Sequence, residues 1–299
     1  MHLIALSNHM GKTLDAPSTK NDAPFPGDWR NRANALLVNP KLESLEGELL
    51  LDNLALDLRR RWLLRAHARS AAYLMSPPHK QIKLLPGDER ISYPYDRWVR
   101  PEALERRLKA RKPVPDGWVS DACVFSNGMA ALTAFLQAFR AFGHDMWNIP
   151  KGPMSVHVFG GYFEISKALS VLCDQHFQGR KHASQQGLCK SVALGKTDLI
   201  LIEPVTADID LEVFDMSAFV KAFRQRPKDR GCVILFDTSL SGDVFPLEHF
   251  CKELGDHPPN LVANIRSGLK MDQEGLELSN LGLMTLWAPK TKVNQDQLL

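Results

Sequence analysis

A chain of 299 residues is long enough for one large domain with a substantial core. With 44% hydrophobic and 24% charged residues it is composed like an ordinary soluble globular protein. Its 37 basic and 34 acidic residues leave a net charge of +3, too weak and too scattered to point to nucleic acid or a membrane surface.

The first twenty residues lack the basic segment and apolar core of a leader, and no run approaches the ~18 apolar residues of a membrane span. Residues 1–40 mix Asn, Asp, Pro and Gly without period and read as a loop-like arm. From 42 to 74, Leu45, Leu49, Leu50, Leu54, Leu56, Leu63 and Leu64 recur near helical spacing, which predicts one long helix or two shorter ones. Pro77-Pro78 ends that region. Residues 91–97 are expected to be extended, and 101–112 to form a helix that begins at a proline.

Residues 118–125 are a strand candidate, followed by Ser126-Asn127-Gly128-Met129-Ala130-Ala131 and a helix through Phe142 that Gly143 can terminate. A strand, a small polar turn and a helix start suit an anion, because free backbone amides and the positive end of the helix dipole both point at the turn. Val156 to Phe159 is a second strand, ending in Gly160-Gly161-Tyr162 before a helix over 163–172. The polar stretch 178–190 reads as exposed. Residues 198–204 have the continuous apolar centre of a central parallel strand, 216–225 fit a helix, and 231–236 form another buried strand that ends at Asp237. Strands alternating with helices predict an α/β domain with a mostly parallel sheet flanked by helices, occupying 91–299 behind an N-terminal arm and helical segment over 1–90. In such a sheet the carboxyl ends of the strands share one crevice.

Asp237 closes a buried strand, and Lys270 follows in the turn Ser267-Gly268-Leu269-Lys270. A carboxylate and an amine so placed suggest a pyridoxal phosphate site, with the lysine as Schiff-base partner and the aspartate holding the pyridinium proton. Taken alone, Lys270 reads as a surface lysine and Asp237 as a structural carboxylate. The five cysteines, Cys123, Cys173, Cys189, Cys232 and Cys251, lack CxxC spacing, so neither a disulfide framework nor a zinc site is expected, and a reducing, cytoplasmic setting fits them best. The ten histidines form no HxxxH pair, which again points to no metal.

The order of these motifs resembles the Cys/Met-metabolism family of pyridoxal-phosphate enzymes, the fold-type-I group of cystathionine γ-synthase and methionine γ-lyase. Tyr93-Pro94-Tyr95-Asp96-Arg97 is similar to the family's Tyr-x-Tyr-Ser-Arg, which implies that Tyr95 and Arg97 reach the cofactor phosphate of a neighbouring subunit. The Ser126 to Ala131 turn resembles Ser-Gly-Met-Ala-Ala, which assigns phosphate binding to the amides of Gly128 and Met129. Phe159-Gly160-Gly161-Tyr162 resembles Tyr-Gly-Gly-Thr, placing the Phe159 ring on the pyridine without the family's hydroxyl.

Glu203-Pro204-Val205-Thr206-Ala207-Asp208 is similar to Glu-x-Pro-Thr-Asn-Pro, with Ala207 in place of the asparagine. Ser267-Gly268-Leu269-Lys270 resembles Ser-x-Thr-Lys, which gives Ser267 a phosphate contact and Lys270 the catalytic amine. The resemblance implies pyridoxal 5'-phosphate as cofactor, an amino-acid substrate, and β/γ-elimination or γ-replacement of the sulfur amino-acid type. It also implies a homodimer or homotetramer. The family continues into a smaller C-terminal domain that this sequence does not show. The alternative is therefore a non-catalytic or accessory subunit, in a hetero-oligomer whose partner chain supplies that domain.

Overall fold

The structure, a computed structural model, describes residues 101–292 except 112 and 274–279, together with 31, 35, 44–47, 49, 50, 52–54, 56, 57, 60, 83, 84, 90 and 91. The expected arm over 1–40, the extended segment over 91–97, and with it Tyr95 and Arg97, fall outside the described residues or nearly so. Every described position from Leu45 to Arg60 is helical, as the leucine spacing predicts. The chain divides into two compact units, and the larger, which includes Arg97–Asp272 and Ser279–Leu299, carries the main sheet.

After the two-residue strands β1 (Lys83–Leu84) and β2 (Arg90–Ile91) comes helix α1 (Glu102–Ala110), entered through Pro101. The main sheet then has seven strands: β3 (Trp118–Phe125), β4 (Met154–Phe159), β5 (Phe177–Lys181), β6 (Leu199–Ile202), β7 (Val233–Asp237), β8 (Leu261–Ser267) and β9 (Gly282–Pro289). Their spatial order is β3-β9-β8-β7-β6-β4-β5. Neighbours from β5 through β8 pair in parallel, while β9 runs antiparallel to both β8 and β3. The mostly parallel α/β sheet predicted from the alternating pattern is thus the architecture found.

Alternate residues of each central strand serve two helix layers, because successive side chains point to opposite faces. Val156, Val158, Leu199, Leu201, Val233 and Leu235 pack under α2 (Gly128–Met146) and α3 (Phe163–Leu172). Ile200, Ile202, Ile234, Phe236 and Trp287 pack under α4 (Gln185–Ala193), α5 (Met216–Arg224) and α6 (Leu247–Leu254). Burial on both faces explains why β6 is Leu-Ile-Leu-Ile, with all four residues fully buried.

One expectation is corrected. Helix α2 does not stop at Gly143 but continues to Met146, and Gly143 is buried against Met154, whose Sδ would lie 3.3 Å from an added Cβ. That glycine serves close packing rather than termination. The stretch 178–190 is mostly exposed, as expected, and it contains most of edge strand β5, of which only Phe177 is buried, and the start of helix α4, which buries just Leu188 and Val192. Finally, β9 inserts between β3 and β8 as an antiparallel strand that the βα alternation does not announce.

On the α4 side of β4, buried His157 meets buried His182, which follows β5, with Nδ1 and Nε2 2.9 Å apart. Burial, then His182 and Arg180, push His157 down from 6.5 to about 4, against a smaller opposing pull from Asp198; burial also lowers His182. The folded state therefore resists a proton that the unfolded chain accepts. The resulting destabilisation is absent above the unfolded value near 6.5 and grows as pH falls toward 4. For His157 alone it amounts to about 2 kcal/mol at pH 5. Thermal melts should show the wild type losing stability between pH 7.5 and 5 more steeply than His157→Gln, and parallel pH profiles for the two would overturn this assignment.

Candidate functional site

Strands β3, β4, β6, β7 and β8 release their chains at the same edge of the sheet, and the loops that follow enclose a cavity of about 410 Å³. Among its lining residues are Asn127, Gly128, Tyr162, Glu203, Asp237 and Lys270. This volume suits a small organic ligand.

One wall is the start of α2. Asn127 stands in extended backbone and its side chain accepts from Ala130 N–H at 2.8 Å, which caps the helix. The Gly128 and Met129 amides, at the first two helical positions, have no partner among the described residues. Both residues line the cavity, so free donors and the positive helix end coincide there. Gly128 is required for this approach: a Cβ would stand 3.0 Å from Ser267 N. From the other side, a Cβ on Gly282 would meet Asn127 O at 2.0 Å.

A second wall comes from β7 and β8. Asp237, the last residue of β7, accepts from Ser239 N–H at 3.0 Å. Its carboxyl is held above the usual range by burial, opposed by the Ser239 backbone and hydroxyl and by the charge of Lys270. Among the described residues Asp237 has no ion-pair partner within 4.0 Å. Ser239 Oγ in turn accepts from Ser267 N–H at 2.9 Å, so one hydroxyl ties the Asp237 turn to the Ser267 turn. Beneath them buried Thr238 donates to Asn264 Oδ1 at 2.7 Å and fixes the two strand ends together.

Lys270 lies in the turn after β8, with Nζ 5.1 Å from the centroid of the Tyr162 ring. Tyr162 OH is 2.5 Å from Glu164 Oε2, and burial, then Glu164, push its hydroxyl up to about 12. Glu203 supports this loop from below: its carboxylate accepts from the N–H groups of Gly161 at 3.0 Å, Tyr162 at 2.9 Å and Ala207 at 2.8 Å. Burial is the largest influence on Glu203 and raises its pKa, while the three amides pull it down. Gly160, at φ +156°, is the only residue type this packing admits, since a Cβ would lie 2.4 Å from the Glu203 carboxyl.

Of the residues singled out from sequence, Gly128, Met129, Asp237, Ser267 and Lys270 line this one cavity. Phe159 does not: its ring is 3% exposed and packs on Phe214, 5.2 Å away, in the layer under α4 and α5. Among the described lining residues the aromatic ring is that of Tyr162. Tyr95 and Arg97 lie outside the described residues. Ser239, Glu203 and Arg266 received no role from the sequence. Glu203 closes a buried strand as Asp237 does, which is the signal that could have found it. Arg266, 3% exposed, is committed to Asp272 through two bonds of 2.7 and 2.9 Å and to Asp243 at 3.0 Å. No cluster of three or more metal-ligating side chains occurs among the described residues, and no helix there is long and apolar enough to cross a membrane.

No protein-family model matches the chain, and no curated protein does. Among solved structures it is similar to a methionine gamma lyase from Micromonospora echinospora, with 18% identity over 70% of this chain and 50% of that one, at TM-score 0.45. It is also similar to the O-acetylhomoserine sulfhydrylase of Wolinella succinogenes, with 18% identity over 63% and 45% of the chains, at TM-score 0.38. A third is the ornithine aminotransferase of Toxoplasma gondii, whose active site holds PLP at partial occupancy, with 10% identity over 75% and 49%, at TM-score 0.44. The chain spans about half the length of the solved proteins it matches.

Proposed function

We propose that this chain binds pyridoxal 5'-phosphate in the cavity and acts through it on an amino acid. The observation that carries the reading is Asp237: a partly buried carboxylate, raised by desolvation, that faces a cavity and lacks an ion pair among the described residues. Leaving such a group uncompensated is costly, and a protonated ring nitrogen would compensate it. The other lining groups fit the remaining ends of the same molecule. The Gly128 and Met129 amides, with Ser267, would take the phosphate, and Lys270 would supply the amine that joins the aldehyde carbon.

Bound there, the cofactor supplies an electron sink for charge that develops beside the substrate amine. The residues of the chain do the rest. Asp237 keeps a proton on the ring nitrogen, so the sink stays electron-poor. The Lys270 amine would hold or move the proton at the substrate's α-carbon. Tyr162, whose ring already neighbours Lys270 Nζ, supplies the aromatic wall. The motif resemblance favours β/γ-elimination or γ-replacement at a sulfur- or oxygen-substituted side chain, with the cofactor domain beginning near residue 91 and the enzyme working as an oligomer.

A second reading, an accessory subunit whose partner chain completes the substrate site, is favoured by Arg266. It is the one guanidinium among the described lining residues, and its carboxylate bonds are already taken by Asp243 and Asp272. Turnover of cystathionine, homoserine esters or methionine by the chain alone supports the enzyme. Turnover only after a second polypeptide is added supports the accessory role.

Purified protein mixed with pyridoxal phosphate should turn yellow, and borohydride should fix the chromophore on the peptide that contains Lys270; Lys270→Ala should abolish both. A colourless wild type that ignores the added cofactor would sink the proposal. Asp237→Ala should weaken cofactor affinity about thirty-fold or more, since removing one partner of a buried charge pair costs about 2 kcal/mol or more. Titration followed by absorbance measures this, and an unchanged affinity would remove Asp237 from the site.

A further inference from the structure

Arg266 and Asp272 bracket the turn that carries Lys270. The turn leaves β8 at Ser267, whose N–H is held by Ser239 Oγ, and Gly268 N–H donates to Leu281 O at 2.7 Å. Leu269 and Lys270 follow, and a short 3-10 turn over Met271–Gln273 then begins. The chain is next held at Asp272, whose two carboxylate oxygens take Arg266 Nε at 2.7 Å and a terminal nitrogen of the same guanidinium at 2.9 Å. Both side chains are nearly inaccessible, at 3% and 7% exposed. This is the paired, two-bond contact that makes a guanidinium–carboxylate pair directional.

A second pair reinforces the clip from outside the turn. Arg111, just past α1, reaches both Asp272, at 2.9 Å, and Asp243, and Asp243 bonds Arg266 at 3.0 Å. Two guanidinium groups and two carboxylates thus alternate in one closed network, so each buried charge has opposite charges beside it.

From this we infer that Arg266 is a positioning residue for Lys270. By clipping Asp272 it closes a short loop and fixes the backbone from which the amine reaches into the cavity. A lysine has a long, freely rotating stem, so the placement of its Cα decides where the amine spends its time. Joining an amine to a carbonyl held by other walls requires the two within about 3–3.5 Å, and misplacement by about 1 Å costs about 100-fold. The inference rests on the reading of Lys270 as the cofactor amine, but the clip can be tested apart from it.

Two measurements on the full chain decide the matter. In the first, amide hydrogen exchange is followed by mass spectrometry for the peptide spanning residues 268–271. Arg266→Met should speed exchange there at least ten-fold. Asp243→Asn, which also breaks an ion pair of the network but leaves the Arg266–Asp272 clip, should stay within about two-fold of wild type. Equal exchange in wild type and Arg266→Met, or equal acceleration by both variants, would overturn the inference whether or not cofactor binds. In the second, pyridoxal phosphate is titrated with borohydride trapping, and the concentration for half-maximal labelling of Lys270 is read. Arg266→Met should raise it ten- to hundred-fold, Arg266→Lys less, and Asp243→Asn about two-fold at most. Labelling of Arg266→Met at wild-type concentrations overturns the positioning role. An unlabelled wild type with exchange as expected keeps the clip and removes the cofactor reading. Should Arg266→Met not fold, Asp272→Asn, which keeps an acceptor oxygen but loses the charge, is read by the same criteria.

Discussion

The constraint on which the site depends is the placement of a carboxylate at the end of a fully buried strand. Val233, Ile234, Leu235 and Phe236 are all fully buried, and the next residue is Asp237. Their burial anchors the strand firmly, because each side chain contributes about 1.5–3 kcal/mol on leaving water. The carboxylate cannot retreat to solvent without dragging that strand with it. Ser239 offsets part of the desolvation through its N–H and hydroxyl, and Lys270 contributes a favourable field, yet the pKa stays raised. The unfilled demand for positive charge faces the cavity.

The same edge brings backbone groups unusually close together. Two glycines allow it: Gly128 against Ser267, and Gly282 against Asn127. A side chain at either would collide with main chain rather than with a flexible tip, so the start of α2 would have to lift away from β8. The amides of Gly128 and Met129 would then part from the turn that presents Ser267 and Lys270. The glycines therefore set the width of the cavity at the end where the Gly128 and Met129 amides lie.

Much of the central fold was legible because burial on both faces forces near-continuous apolar runs, and 156–159, 198–204 and 231–236 are such runs. The helix over 163–172 was found residue for residue. What escaped notice lies where that pressure is weak or shared. Edge strand β5 shows only Phe177 to the core, so its polar residues read as an exposed stretch with no strand period. Helix α4 needs only two buried side chains. Strand β9 has an apolar sequence, but its position depends on pairing with strands far away in the chain, which no local period encodes. In the site, the carboxylate and the lysine could be named from their turns. The supporting contacts of Ser239, Glu203 and Arg266 could not, because each is defined by a partner in another segment.

Phe159 shows how far residue parity reaches. On β4 the residues under α2 and α3 are Met154, Val156 and Val158, so Phe159 must point to the opposite layer, where it meets Phe214. On β6 the same face carries Leu199 and Leu201, and the next such position is Glu203. On β7 it carries Val233 and Leu235, then Asp237; on β8, Leu261, Ala263 and Ile265, then Ser267. All three polar residues are therefore delivered to the cavity side by alternation alone. The matching position on β4 is Gly160, and its missing side chain is what admits the Glu203 carboxylate to the N–H groups of Gly161 and Tyr162. Among the described residues, the ring on this side comes from Tyr162, after the glycine pair has turned the chain.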